Sequence, residues 1–140
     1  MTPLYAQQHD YSGCNVLAVD DIPLNLLLVQ KMLSRFNFTI RTAANGQAAL
    51  DAVAEQKPDL ILLDLMMPGI DGFEVIRRLR ADPATADIQI VILSALNSNE
   101  DVVKGFNEGA DDFIMKPIIM EKLLSCVVNQ LQIAKAKSSL

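Results

Sequence analysis

Cysteine is scarce in this chain: Cys14 and Cys126 are the only two, far apart and in apolar contexts. They give no disulfide framework, and a reduced, cytoplasmic compartment suits them better. Histidine is scarcer still, and the lone His9 stands in a polar leader, where it reads as a solvated side chain. No apolar run approaches the length of a membrane span, although 51% of the residues are hydrophobic. Met1–Gly13 has no basic stretch followed by an apolar one, so it is not a secretory signal. Positive charge is in deficit: the net charge of −5 argues against a nucleic-acid surface. No Gly-x-x-x-x-Gly-Lys-Ser/Thr occurs, which excludes a P-loop nucleotide enzyme. Internal repeats and low-complexity segments are absent as well.

What is present is enough for one compact domain, since 140 residues can bury a full core. We expect a flexible leader at residues 1–13, a domain at 14–134 and a Lys- and Ser-rich tail at 135–140. Five apolar runs, Cys14–Val19, Phe38–Ala43, Asp59–Asp64, Ile88–Leu93 and Asp112–Met115, read as strands. Five segments between and after them read as helices: Leu24–Phe36, Gln47–Gln56, Gly72–Arg80, Ser98–Glu108 and Ile118–Ala134. Pro23 opens the first, where its missing N–H costs nothing. Alternating strands and helices imply an α/β fold with a parallel sheet covered on both faces. The methionines and the Leu24–Leu33 stripe are expected in the core, and Arg77, Arg78 and Arg80 on a solvated helix face.

Asp64 is the most telling residue. It sits in the middle of the apolar run Leu60-Ile61-Leu62-Leu63-Asp64-Leu65-Met66-Met67, and Pro68-Gly69 and then Asp71-Gly72 close that run. A carboxylate in such a run is costly unless it is paired, metal-bound or at a strand end. Open α/β sheets place ligand sites at the carboxyl ends of their strands. Those ends also carry Asp20 and Asp21 after strand one, Ser94 after strand four and Lys116 after strand five. Three carboxylates gathered there repel one another and call for positive charge. Mg²⁺ (or Mn²⁺) suits such an all-oxygen site, and Lys116 adds a fixed cation. The set is what phosphoryl transfer to a carboxylate requires, with Asp64 as nucleophile and Ser94 as a hydrogen-bond partner for the phosphoryl group. Each residue has a plainer reading alone: Asp20-Asp21 or Asp71 as a helix cap, Lys116 as a surface lysine, Phe113 as core.

Taken together, Asp20-Asp21, Asp64-Leu65-Met66-Met67-Pro68-Gly69-Ile70-Asp71-Gly72, Ser94-Ala95 and Phe113-Ile114-Met115-Lys116-Pro117 resemble the receiver domains of two-component response regulators. The likeness runs from about Asn15 to Gln132. It implies a flavodoxin-like, CheY-like doubly wound sheet of five strands in the order 2-1-3-4-5. It implies that Asp64 accepts phosphate from a histidine kinase or a histidine phosphotransfer protein. Asp21, Asp64 and the backbone carbonyl of Met66 would bind the metal directly, and Asp20 through water. Ser94 and Phe113 would form a switch pair, with a cis peptide before Pro117. Phe113 stands where Tyr is common, so an inward ring must rest on packing alone. Asp20-Asp21-Ile22-Pro23-Leu24-Asn25 resembles receivers joined to hybrid sensor kinases.

The expected function is therefore a phosphorylation-dependent signalling switch and not an enzyme, one that assists its own phosphotransfer and slow dephosphorylation. The alternative is a receiver-like protein-binding module that needs no phosphate. A phosphatase with an aspartyl intermediate fits less well, because strand one does not end in Asp-x-Asp and no cap domain follows. A flavodoxin would lack this acidic edge. Met66 and Leu96, each two residues past a site residue, are expected to flank the mouth without orienting water, which slows hydrolysis. Ile118 to Leu131 carries more apolar residues than one stripe needs, so a homodimer or effector contact through the fourth- and fifth-helix face is weighed against core packing.

Overall fold

A computed structural model describes residues 11–96 and 98–138. Strands β1 (Asn15–Val19), β2 (Thr39–Ala43), β3 (Leu60–Leu63), β4 (Gln89–Ser94) and β5 (Asp112–Met115) alternate with α1 (Pro23–Met32), α2 (Gly46–Glu55), α3 (Gly72–Ala81), α4 (Asn99–Glu108) and α5 (Met120–Ser138). The strands form one sheet, β2-β1-β3-β4-β5, with every pairing parallel. Fold class and strand order are as the sequence and the resemblance implied.

Every residue of β1, β3 and β4 is buried, as expected for central parallel strands, while the edge strands β2 and β5 are partly open. Alternation sorts the core into two layers. Val16, Ala18, Leu60, Leu62, Val91 and Leu93 pack with Leu123, Leu124 and Val127 of α5 and Val29 of α1. Leu17, Val19, Ile61, Leu63, Ile90 and Ile92 pack with α2 and α3 on the other face. Side chains start three helices: Asn45 accepts from Ala48 N at 2.7 Å, Asp71 from Glu74 N at 2.9 Å and Ser98 from Asp101 N at 3.1 Å. Asp71 is thus a cap, as read. Gly109 ends α4 at φ 117°, in the left-handed region that a Cβ disfavours.

Four expectations need correction. The folded part begins earlier than residue 14: Tyr11 is 2% exposed, and its ring meets Phe36 edge-on at 6.1 Å. Residues 1–10 of the expected leader lie outside the described residues. Helix α1 stops at Met32, because Leu33, Phe36 and Phe38 all pack into the core and pull the chain back toward β2. Helix α5 runs to Ser138 instead of Ala134, held at its end by Lys137, which donates to the Gln89 side chain and to Asp87 O. The Leu24–Leu33 stripe is not all core. Val29 and Leu33 are buried, but Leu24, Leu27 and Leu28 are 60%, 49% and 46% exposed. A run of leucines surrounds a helix, whereas the sheet covers one side of it. Met66, Met115 and Met120 are exposed too.

Candidate functional site

The parallel sheet delivers Asp20, Asp64, Ser94 and Lys116 to one edge because each ends or follows a strand. The ladder continues into the site: Asp20 N donates to Ala43 O at 3.2 Å, Asp64 N to Val19 O at 3.0 Å and Lys116 N to Ser94 O at 2.8 Å. These bonds fix the backbone under each functional side chain. The peptide bond between Lys116 and Pro117 is cis, as the resemblance implied.

The Asp20, Asp21 and Asp64 carboxylates converge, with one ligand oxygen from each within 4.8 Å of the others. Asp20 and Asp64 are each 6% exposed, whereas Asp21 is exposed. Lys116 Nζ lies 2.8 Å from Asp20 Oδ2 and 3.7 Å from Asp64 Oδ2. Three carboxylates therefore face one ammonium. The imbalance registers on Asp64: burial pushes its carboxyl above the usual range, Lys116 pulls it down and Asp20 pushes it up.

Asp20 is the most committed of the three. Its Oδ1 accepts from Ile22 N at 2.9 Å, and its Oδ2 accepts from Asn25 Nδ2 at 3.1 Å and from Lys116. Asp64 Oδ1 accepts a long bond, 3.4 Å, from Met66 N. A hard divalent cation fits this all-oxygen set, with Asp21 and Asp64 better available to it than Asp20. Ser94 is fully buried, its Oγ accepting from Leu96 N at 3.2 Å. Phe113 is half-buried on β5, opposite Ile92. Met66 is 60% exposed at the mouth. Leu96 is half-buried and packs against the α2–α3 core layer.

Two contributors escaped the sequence reading. Asn25, the polar residue within the leucine run, orients Asp20. Gly72 lets α3 approach the site: a Cβ there would lie 2.6 Å from Asp64 O and 2.8 Å from Leu65 Cα. Its N–H donates to Leu65 O at 3.0 Å, which ties the first turn of α3 to the Asp64 loop. The signal was the Asp-Gly pair, legible as a turn but not as a close approach.

Fold and site together define a class: a doubly wound α/β domain with a carboxylate cluster and a fixed lysine at the carboxyl ends of its strands. The response regulator receiver domain family matches residues 16–128. The response regulator PleD of Caulobacter vibrioides is 45% identical over 106 residues, 76% of this chain and 23% of PleD. Protein PilH of Pseudomonas aeruginosa is 33% identical over 112 residues, 80% of this chain and 93% of PilH. The solved structure of chemotaxis protein CheY4 from Vibrio cholerae superposes with a TM-score of 0.77 at 30% identity, over 83% of this chain and 97% of CheY4. This chain belongs to that family: it is a response regulator receiver domain of two-component signalling. It spans less than half the length of several of its curated relatives, 23% of PleD among them. Among the described residues, no helix is long and apolar enough to cross a membrane.

Proposed function

We propose that this receiver is a switch thrown by phosphorylation of Asp64. The observation that carries the reading is a buried carboxylate, 6% exposed, with Lys116 Nζ 3.7 Å away and two further carboxylates beside it. An Asp64 oxygen attacks the phosphorus of a phosphohistidine on a histidine kinase or histidine phosphotransfer protein. The O–P bond forms as the P–N bond breaks, and the imidazole nitrogen keeps the electron pair and later takes a proton from water. Asp21, Asp64 and the Met66 carbonyl would hold Mg²⁺ (or Mn²⁺), with Asp20 reached through water. The ion supplies charge neutralisation at the transferring group. Lys116 supplies the same from the protein, and Ser94 then donates its hydroxyl to a phosphoryl oxygen.

Ser94 and Phe113 carry the change to the α4–β5–α5 surface, where Val103, Phe106, Met115, Ile119 and Met120 are exposed. A partner, or a second copy of the chain, docks there. The buried, reduced Cys14 and Cys126 support a cytoplasmic setting. The test is intact mass after incubation with acetyl phosphate and Mg²⁺. We expect a single phosphate adduct that EDTA or Asp64→Asn abolishes, with light scattering of the adduct reporting whether copies pair. No adduct from acetyl phosphate or from histidine kinases would favour the phosphate-independent binding module instead.

Lifetime is a separate matter. Met66 at the mouth offers a thioether and no group to orient water. Met66→Asn is expected to speed loss of the phosphate adduct by roughly three- to tenfold, well short of full general-base assistance. Decay followed by mass would show this, and an unchanged half-life would remove Met66 from the account.

A further inference from the structure

The inner face of α4 touches the sheet through a glycine. A Cβ built on Gly105 would lie 2.7 Å from Ile92 Cδ1 and 3.3 and 3.6 Å from Cδ2 and Cε2 of Phe113. The helix backbone therefore rests directly on Ile92 and, a little less closely, on the Phe113 ring. Gly105 is the only residue of α4 that is buried, so this contact is where the helix meets the core. Ile92 pairs with Phe113 across β4 and β5, and Ser94 follows two residues later on the same sheet face. Ser94, Ile92, the Phe113 ring and Gly105 thus form one contiguous line from the site to α4.

We propose that Gly105 is the positioning residue through which α4 reads the place of the Phe113 ring. The inference rests on the phosphorylation-switch reading above and assigns its mechanical link. Three neighbours hold α4 down on α3. Arg77 donates to both Glu108 oxygens at 3.0 and 3.1 Å, Lys104 Nζ sits 4.3 Å from the centroid of the Phe73 ring, and Arg80 Nε donates to Gly109 O at 2.9 Å. Lifting the helix to admit a methyl group breaks these contacts. Ile92 is fully buried, whereas Phe113 is half-buried and so the less confined of the two. A methyl group at 105 presses first on Ile92 Cδ1 and next on the ring, and with Ile92 enclosed by the core the strain passes to the half-buried ring, which yields inward, toward the Ser94 side. That is the direction the ring takes when Ser94 moves onto the phosphoryl group and vacates space. Gly105→Ala should push the unphosphorylated protein toward its phosphorylated form.

The test uses beryllofluoride as the phosphoryl mimic and amide and aromatic NMR signals as readout. We expect the α4 and Phe113 signals of unliganded Gly105→Ala to lie displaced along the line joining free and beryllofluoride-bound wild type. Half-saturation by beryllofluoride should fall about fivefold, at the low end of allosteric couplings. Repeating the substitution in a Phe113→Ala background should abolish both effects, because the ring that transmits them is gone. Shifts confined to the immediate neighbours of residue 105, or a displacement that survives Phe113→Ala, would overturn the role of Gly105. If wild type itself fails to respond to beryllofluoride, the switch reading falls and this inference with it. A wild type that responds beside a variant that does not defeats the inference alone.

Discussion

Asp64→Asn should melt at a higher temperature than wild type at neutral pH while taking up no phosphate. Asp64 is buried beside Asp20, and its carboxyl is raised above the ordinary 3.8 by burial first, then by Asp20, against the pull of Lys116. A raised carboxyl means that the folded state prefers the protonated form. Stability therefore falls as pH rises from the unfolded-state value through the folded-state value, and the cost is present in full above it. Asparagine carries no such cost. The gain is expected at about 1 kcal/mol, typical of relieving a conflict kept for function, or a few degrees in Tm. It should vanish below about pH 3.8, where the carboxyl is protonated in both states. Mg²⁺ relieves the same repulsion, so it should raise the Tm of wild type more than that of the variant. Thermal melts at several pH values, with and without Mg²⁺, check all of this. A variant less stable than wild type at pH 7 would mean that Lys116 already compensates the cluster.

How much of this was legible in the chain depends on which force placed each residue. The strands were plain, because β1, β3 and β4 are buried on both faces and so read as unbroken apolar runs. The site followed from them, since a polar residue at the end of such a run can sit only at the sheet edge. Asp20, Asp64, Ser94 and Lys116 are where that logic puts them. Helix α1 defeated the same reasoning. Its residues are apolar almost all round, so periodicity could not separate Val29, which faces the sheet, from Leu24 and Leu28, which do not. Close approaches were equally hidden. Gly72 and Gly105 matter for what lies against them, Asp64 O in one case and the Phe113 ring in the other, and both partners are distant in sequence. Tyr11 belongs to the same group. Its polar neighbours suggested a leader, and the Phe36 ring edge-on against it, distant in sequence, shows that it closes the core.

Lys116→Ala should separate metal binding from phosphoryl transfer. In wild type Lys116 is bonded to Asp20 and stands 3.7 Å from Asp64, so it competes with any cation for the same carboxylates. Removing it leaves Asp20 Oδ2 with Asn25 alone and takes away a positive charge. Mg²⁺ should then bind more tightly, and the metal-free variant should be less stable. Asp20 keeps Asn25 and Ile22 N as partners, and Lys116 is partly open to solvent, so the loss is expected at about 1–2 kcal/mol, below the cost of breaking a fully buried pair. Saturating Mg²⁺ should restore most of it. Phosphorylation should not recover with the metal. In the transition state charge is spread over the three equatorial oxygens of the transferring group, and the ammonium that meets it is fixed in advance by the backbone bond from Lys116 N to Ser94 O. A mobile ion held by Asp21 and Asp64, as proposed, would not replace it. Uptake from acetyl phosphate at saturating Mg²⁺ should therefore fall by roughly 10²- to 10³-fold, the usual effect of losing one preorganised electrostatic group. Two measurements decide it: the Mg²⁺ dependence of Tm and the rate of adduct formation by mass. Tighter metal binding with slower transfer supports a lysine that serves the reaction. An uptake rate equal to wild type would reduce Lys116 to a counter-ion that holds the cluster together.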